Sequence, residues 1–352
     1  MGDTGREKAY FAAANSGKGF VSWFDKIFFS ENIKRRFIIK GGPGTGKSSF
    51  MRKIARAGEE MGMSVEYYYC SSDTSSLDGV VLDGKIAVLD GTAPHSYDTV
   101  YAGIRDEILN LGQFWDAQRL SKHTDDILRL DAQKKAAYKR AYGYLSSALA
   151  LSETADAVLS ECILWDKLRS AASRQYKSLE LTARGGVSVR QTEAMGVRGK
   201  VYLPTLSWQY SRVIPVEDRY GTAAFYLGEL LRLAEKDGIA AEVSYDTVDI
   251  RKVRELSFPE SAVCFTAVSA TDGYAEERVN MRRFIDSEKF AACRHIYRAS
   301  SSCYSQLCEL ATESLRTAGE AHGEIEKYYV SSMDFRGVGK YCAEFLDKLS
   351  VL

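Results

Sequence analysis

The chain predicts an α/β architecture built twice, each copy a parallel sheet with helices on its faces, followed by a helical stretch. Three observations carry that expectation. A glycine-rich loop, Gly41-Gly42-Pro43-Gly44-Thr45-Gly46-Lys47-Ser48, joins an apolar strand to a segment with helical spacing. Further apolar runs alternate with helix signals, the pattern of a parallel sheet. The chain also matches itself when slid by 176 residues without a gap, which sets 54–93 over 230–269. Identities fall at Arg56/Arg232, Glu59/Glu235, Gly62/Gly238, Glu66/Glu242, Tyr69/Tyr245 and Asp73/Asp249, and Ile86-Ala87-Val88-Leu89 lies over Ala262-Val263-Cys264-Phe265. Two units follow, residues 1–175 and 176–352.

The elements are expected in this order. A short strand near 8–13, with its counterpart at 177–183, leads through a helix-spaced segment to an apolar strand at 36–40. After the loop, Phe50, Ile54, Ala57 and Met61 recur at i, i+4, i+7 and i+11, one face of a helix that begins at Gly46 and that Gly62 stops. Strands follow at 65–69 and 86–90. From about residue 97 to 176 the chain is rich in Ala, Leu, Lys, Asp and Gln, and reads as several helices with a break at Tyr142-Gly143-Tyr144. Residues 281–352 repeat the habit.

Composition narrows the function classes. With 45% hydrophobic and 27% charged residues the chain reads as a soluble globular protein, and 47 Lys plus Arg against 47 Asp plus Glu leave no overall field to draw it onto nucleic acid or an anionic membrane. The amino terminus lacks the apolar core of a signal peptide, and no run approaches the ~20 apolar residues of a membrane span, so a cytoplasmic protein without a membrane partner is expected. Seven cysteines without a Cys-x-x-Cys pair, and four histidines, point away from a zinc site or a disulfide framework. Cys264, in an apolar run, reads as a small buried hydrophobe.

The loop carries the chemistry. Backbone N–H groups can all turn toward a polyphosphate only where side chains do not block the approach, which Gly41, Gly44 and Gly46 satisfy. The helix that follows offers unpaired amides and the positive end of its dipole. Lys47 adds a mobile cation for the β and γ phosphates, and Ser48 a hydroxyl for magnesium. The expected nucleotide contacts are therefore Gly41, Gly42, Pro43, Gly44, Thr45, Gly46, Lys47, Ser48 and Ser49. Asp90, at the end of the apolar strand 86–90, is placed to hold a magnesium-bound water beside Ser48, as the second acidic element of such sites does.

Gly91 follows Asp90 where many motor-type ATPases carry a water-activating glutamate, so hydrolysis is expected to be slow. Asp73, Asp78 and His95 stand on nearby loops, where ligands sit beyond the carboxyl ends of parallel strands. Asp73 is a substrate or water contact, or else an ordinary Asx-turn or helix-cap residue. No Asn-Lys-x-Asp or Thr-Lys-x-Asp is present, which favours ATP over GTP. In the second copy Lys47 falls over Ala223, Ser48 over Ala224 and Asp90 over Thr266, and Glu217-Asp218 would repel phosphate, so that half is expected to bind no nucleotide. Its arginines, Arg212, Arg219, Arg282 and Arg283, are conceivable donors to the first site.

The stretches from Phe37 through the loop to Ser48, Cys70-Ser71-Ser72-Asp73, Ser76-Leu77-Asp78-Gly79-Val80 and Asp90-Gly91-Thr92-Ala93-Pro94-His95 resemble a bacterial family of tandem-duplicated P-loop ATPases. The resemblance spans nearly the whole chain. It implies a duplicated P-loop NTPase fold in which the second copy often keeps its own phosphate loop, a pattern this sequence departs from at Ala223 and Ala224. The expected function is thus Mg-ATP binding with slow or partner-stimulated hydrolysis. The alternatives are a small-molecule or nucleotide kinase, in which Asp73 or Asp78 orients an acceptor hydroxyl and helices around Trp115 close as a lid, and an ATP-stabilised binding module without turnover.

Overall fold

The computed structural model describes residues 7–94, 96–269 and 277–349. In the first half, β1 (Lys8–Phe11) leads into a hairpin of β2 (Ala13–Ser16) and β3 (Gly19–Ser22), then α1 (Phe24–Phe28). Next come β4 (Arg35–Lys40), α2 (Lys47–Glu60), β5 (Val65–Tyr69), β6 (Leu77–Leu82), β7 (Ile86–Asp90) and β8 (Asp106–Asn110). Three helices follow, α3 (Ala117–Ser121), α4 (Thr124–Glu161) and α5 (Trp165–Lys177). The second half repeats the sequence of elements: β9 (Val187–Val189), the hairpin β10 (Glu193–Gly196) and β11 (Gly199–Tyr202), and α6 (Thr205–Gln209). It continues with β12 (Arg212–Glu217), α7 (Ala223–Asp237), β13 (Ala241–Tyr245), β14 (Val253–Phe258), β15 (Val263–Val268) and β16 (Val279–Asn280), and ends with α8 (Ser287–Ser331) and α9 (Phe335–Leu349).

The protein is α/β, with two six-stranded sheets of the same order: β1-β5-β6-β7-β4-β8 and β9-β13-β14-β15-β12-β16. Both sheets are mixed where all-parallel ones were expected. β6 runs antiparallel to β5 and β7, and β14 antiparallel to β13 and β15. The cause is local. β6 and β7 are joined by a tight turn with positive φ at Asp83 (49°) and Gly84 (64°), and so short a connection can only reverse the chain.

Four further expectations change. The strand expected at 177–183 stands at 187–189, as β9. The helix α2 buries Phe50, Met51, Ile54, Ala55 and Gly58, a face turned away from Ala57 and Met61. Gly58 explains the turn, since a Cβ there would lie 2.9 Å from Leu82 of β6; the missing side chain lets helix and sheet close. Residues 97–116 form no α-helix; they hold β8, which pairs parallel with β4 and is tied to it by the buried ion pair Arg36–Asp106 at 2.6 Å, and a single 3-10 turn at Leu111–Phe114. Finally, α4 runs unbroken through Gly143, which is exposed while Ala137, Ala141, Leu145 and Ala148 form the buried stripe.

That stripe meets α8. The two long helices lie antiparallel: His123 before α4 packs on Tyr328 of α8, Ala141, Leu145 and Ala148 share a core with Ala311 and Leu315, and Ile163 after α4 bridges to Ile285 before α8. Beyond this pair the short helices cross over. Leu168, Ala172 and Tyr176 of α5 sit in the core of the second sheet with Ile214 and Leu227, while Val338, Cys342, Phe345 and Leu349 of α9 sit in the core of the first with Phe37, Phe50 and Ile54. The cut expected at 175/176 falls inside α5.

The halves also meet at their sheets. The Phe11 amide donates to the Gln191 carbonyl at 2.8 Å. Arg190 bonds Glu66 of β5 at 2.7 Å and Glu242 of β13 at 3.3 Å, so the two glutamates that match in the sequence repeat share one guanidinium. Burial opposes its charge, but the surrounding Tyr68, Glu66 and Glu242 outweigh that and hold Arg190 charged. No helix among the described residues is long and apolar enough to cross a membrane.

Candidate functional site

The glycine loop leaves the carboxyl end of β4, a central strand, and runs into α2. Gly44 and Gly46 take left-handed φ of 65° and 90°, which any other residue would adopt under strain. Gly46 is the N-cap of α2 and has no side chain to satisfy the first amides of the helix. Thr45 is buried, and its hydroxyl donates to the Gly42 carbonyl at 2.9 Å, which pins the turn from inside. Ser49 is exposed at the start of the helix, and Pro43 is half-buried.

Lys47 folds back along the loop. Its Nζ donates to the carbonyls of Gly41 (3.0 Å) and Gly42 (2.8 Å) and stands 3.6 Å from Asp90 Oδ2. Asp90 reaches this position because β7 pairs directly with β4, in a register that sets Ile39 against Asp90. Its other oxygen accepts from the Thr92 amide (2.8 Å) and hydroxyl (2.6 Å). Burial pushes the Asp90 carboxyl above the ordinary range, opposed by Lys47 and the Thr92 bonds, and the charge of Asp78 on the neighbouring strand adds to the rise. Ser48 Oγ accepts from the Leu77 amide at 3.1 Å, which ties the first turn of α2 to the start of β6.

Lys47, Ser48 and Asp90 therefore converge on the loop, with Asp78 buried beside them on β6. Asp73 lies in a local turn. Its two carboxylate oxygens accept from the Ser75 amide (3.0 Å) and hydroxyl (2.8 Å), the Asx turn that was the other reading of this residue. His95 lies outside the described residues. Among the described residues no group of three or more His, Cys, Asp or Glu is gathered as a metal cluster. The oxygens at hand are the Ser48 hydroxyl and Asp90, a small set suited to a cation such as magnesium that keeps most of its shell as water and phosphate oxygen.

Gly91 has a packing reason. A Cβ there would lie 2.3 Å from Ile38 Cγ2 in the core of β4, so no side chain fits without moving the strand that carries the loop. Gly91→Ala is accordingly expected to cost about 1–3 kcal/mol. Chemical denaturation checks this; a loss under about 0.5 kcal/mol would mean that the strand yields freely.

One wall of the site was not foreseen. The Gly44 amide donates to Glu326 Oε1 at 3.2 Å, across 282 residues of chain. A Cβ on Gly42 would meet the Tyr329 ring at 2.6 Å and one on Gly44 would meet Val330 Cγ2 at 2.9 Å, so α8 lies flat on the loop. The spacing 326, 329, 330 marks one helical face, but nothing in it says what that face covers. Three of the arginines considered as donors have partners in the second half: Arg212 pairs with Glu277, Arg219 lies over Tyr220 and Arg283 over Phe284.

The corresponding place in the second half is built differently. Five residues, Asp218 to Thr222, connect β12 to α7, one fewer than between β4 and α2. Asp218 accepts from the first amide of α7, that of Ala223, at 3.4 Å, and lies 3.6 Å from Arg254. Strand register sets Val216 against Ala267 as it sets Ile39 against Asp90, so the residue in the Asp90 position is Ala267, one beyond the Thr266 of the ungapped repeat. A cavity of about 180 Å³ remains there, lined by Asp218, Tyr220, Gly221, Lys252, Arg254 and Ala267 among others. Lys252 is held by Asp156 at 2.6 Å. Comparison with protein-family models, curated proteins and solved structures found no match.

Proposed function

We propose that this chain is a P-loop protein of duplicated architecture that binds Mg-ATP at Gly41 to Ser48 and turns it over slowly. The observation that carries this reading is the Gly44 amide, which points out of a left-handed turn and already holds an anionic oxygen, that of Glu326. A loop whose amide takes an anionic oxygen, with an uncapped helix start behind it and the Lys47 ammonium along its edge, is suited to a polyphosphate. Magnesium, when bound, neutralises charge on the β and γ phosphates. Ser48 and Asp90 would hold it, Lys47 would orient the phosphates, and the loop amides would fix their oxygens.

Slow turnover fits the surroundings of Asp90. Gly91 is packed on Ile38 and offers no carboxylate to activate water, and both Asp73 oxygens accept bonds from Ser75 in a local turn. A partner that supplies the missing group would accelerate hydrolysis. Duplication is supported by the common strand order of the two sheets, by the matched helices α4 and α8, α5 and α9, and by the sequence identities of the repeat. In the second half the helix start is met by Asp218 and no lysine stands at the Lys47 position, which argues for one nucleotide per chain.

The test is thermal unfolding with Mg-ATP, with Mg-GTP and without nucleotide. At about 100 times the dissociation constant, ATP should stabilise the protein by roughly 2.7 kcal/mol, with a smaller effect from GTP at the same concentration. No shift with either nucleotide would reject the reading, and a stoichiometry of two by calorimetry would reject the assignment of the second half.

A further inference from the structure

We propose that Glu326 is a built-in anion that closes the nucleotide loop, so that a phosphate enters only when the end of α8 withdraws. This rests on the nucleotide-binding reading and adds the regulation of that site. Four contacts argue for it. Glu326 Oε1 accepts the Gly44 amide at 3.2 Å, the bond a phosphate oxygen would otherwise take. The Tyr329 ring and Val330 lie against Gly42 and Gly44 at distances only glycine allows, so this face of the loop has no room for a ligand while α8 is seated. Tyr329 is braced in turn by Trp115, edge-on at 5.9 Å, from the segment that follows β8.

The charge on Glu326 is maintained. His322, one turn earlier with Nε2 at 3.6 Å, is the main influence that holds the carboxyl below its ordinary range; burial opposes it, and the Gly44 amide and Lys47 add to it. The carboxylate therefore presents to the loop the same charge sign as the proposed ligand. The cap comes from the other half of the chain, on a helix whose opposite end packs Phe290 and Tyr297 on Tyr220, within the second half's own loop. Helix α8 thus touches both loops, and its seating on the first is not a local property of the first sheet.

Two variants, Glu326→Gln and Glu326→Ala, test the cap by calorimetry with Mg-ATP and with inorganic tripolyphosphate, and by hydrogen exchange of residues 41–46 without ligand. Removing the charge should tighten both ligands about tenfold, the difference between a charged and a neutral competitor for one amide, and should speed exchange at the loop. If the wild type binds nucleotide and neither variant binds more tightly, Glu326 is no competitor and the cap is rejected while the nucleotide reading stands. Weaker binding by the variants would reject it too, because Glu326 would then be a ligand contact. If neither wild type nor variants take up any nucleotide or tripolyphosphate, the nucleotide reading fails and the cap fails with it. Unchanged far-ultraviolet circular dichroism and unfolding midpoints exclude misfolding, which is not expected for a side chain that remains 43% exposed.

Discussion

Replacing Phe345 by alanine is expected to destabilise the amino-terminal sheet by about 3–5 kcal/mol, although the residue lies near the end of the chain and far in sequence from that sheet. Phe345 is 4% exposed. Its ring packs edge-on against Phe37 of β4, with centroids 4.8 Å apart, and lies 5.8 Å from Phe50 in the first turn of α2. Those two aromatics flank the glycine loop, one on the strand that enters it and one on the helix that leaves it. A cavity there would loosen both walls, so affinity for nucleotide should fall together with stability. Phe335→Ala on the same helix is the control, since that side chain is 46% exposed and should cost no more than about 0.5 kcal/mol. Equal effects from the two substitutions, measured by urea unfolding, would mean that α9 does not complete the first sheet.

This exchange of terminal helices marks where sequence reasoning stops. Strands 65–69 and 86–90 were legible because each is a short apolar run bounded by turn residues, and the loop between β4 and α2 because its chemistry fixes both the conformation and the element that follows. β6 was hidden. Its residues, Leu77-Asp78-Gly79-Val80-Val81-Leu82, follow a serine-rich turn and contain a glycine whose absent Cβ makes room for Phe28, so neither alternation nor propensity announces a central strand. β8 is five residues long and takes its place through the ion pair of Arg36 with Asp106, a long-range contact. Composition did report that 97–176 and 281–352 are largely helical. It cannot report which sheet the apolar side of α5 or α9 covers, and the sheet is in each case the one belonging to the other half.

The same limit applied to the site. Lys47 and Ser48 open the helix that follows β4 and Asp90 ends β7, so their approach follows once β7 is set beside β4. Asp73 was ambiguous because an Asx turn and a ligand contact use the same residue type in the same kind of loop; both oxygens proved to be bonded to Ser75. Glu326 had no signal at all, since a glutamate on a long polar helix is the commonest of surface residues. Only the packing of α8 against glycines that lack a Cβ gives it meaning.

Lys47→Ala should weaken Mg-ATP binding by one to two decades, equivalent to about 1.5–3 kcal/mol for a charge-assisted hydrogen bond, while leaving the unliganded fold close to the wild type in stability. The ammonium sits 2.8–3.0 Å from two loop carbonyls, so in the absence of ligand it satisfies oxygens that water would otherwise reach. Its loss is felt mainly when a triphosphate must be neutralised. Lys40 makes the comparison sharp: it lies one residue before the loop, and its ammonium donates to the Gly91 carbonyl at 2.9 Å and to the Tyr97 carbonyl, outside the glycine cage. If a general positive field drew nucleotide to this end of the sheet, Lys40→Ala and Lys47→Ala would weaken binding alike, and raising the salt concentration would erase both effects. If the cage is specific, only Lys47→Ala does so, the loss persists at high salt, and Glu326→Gln introduced into the Lys47→Ala protein does not restore wild-type affinity, because uncovering an amide cannot replace a missing cation.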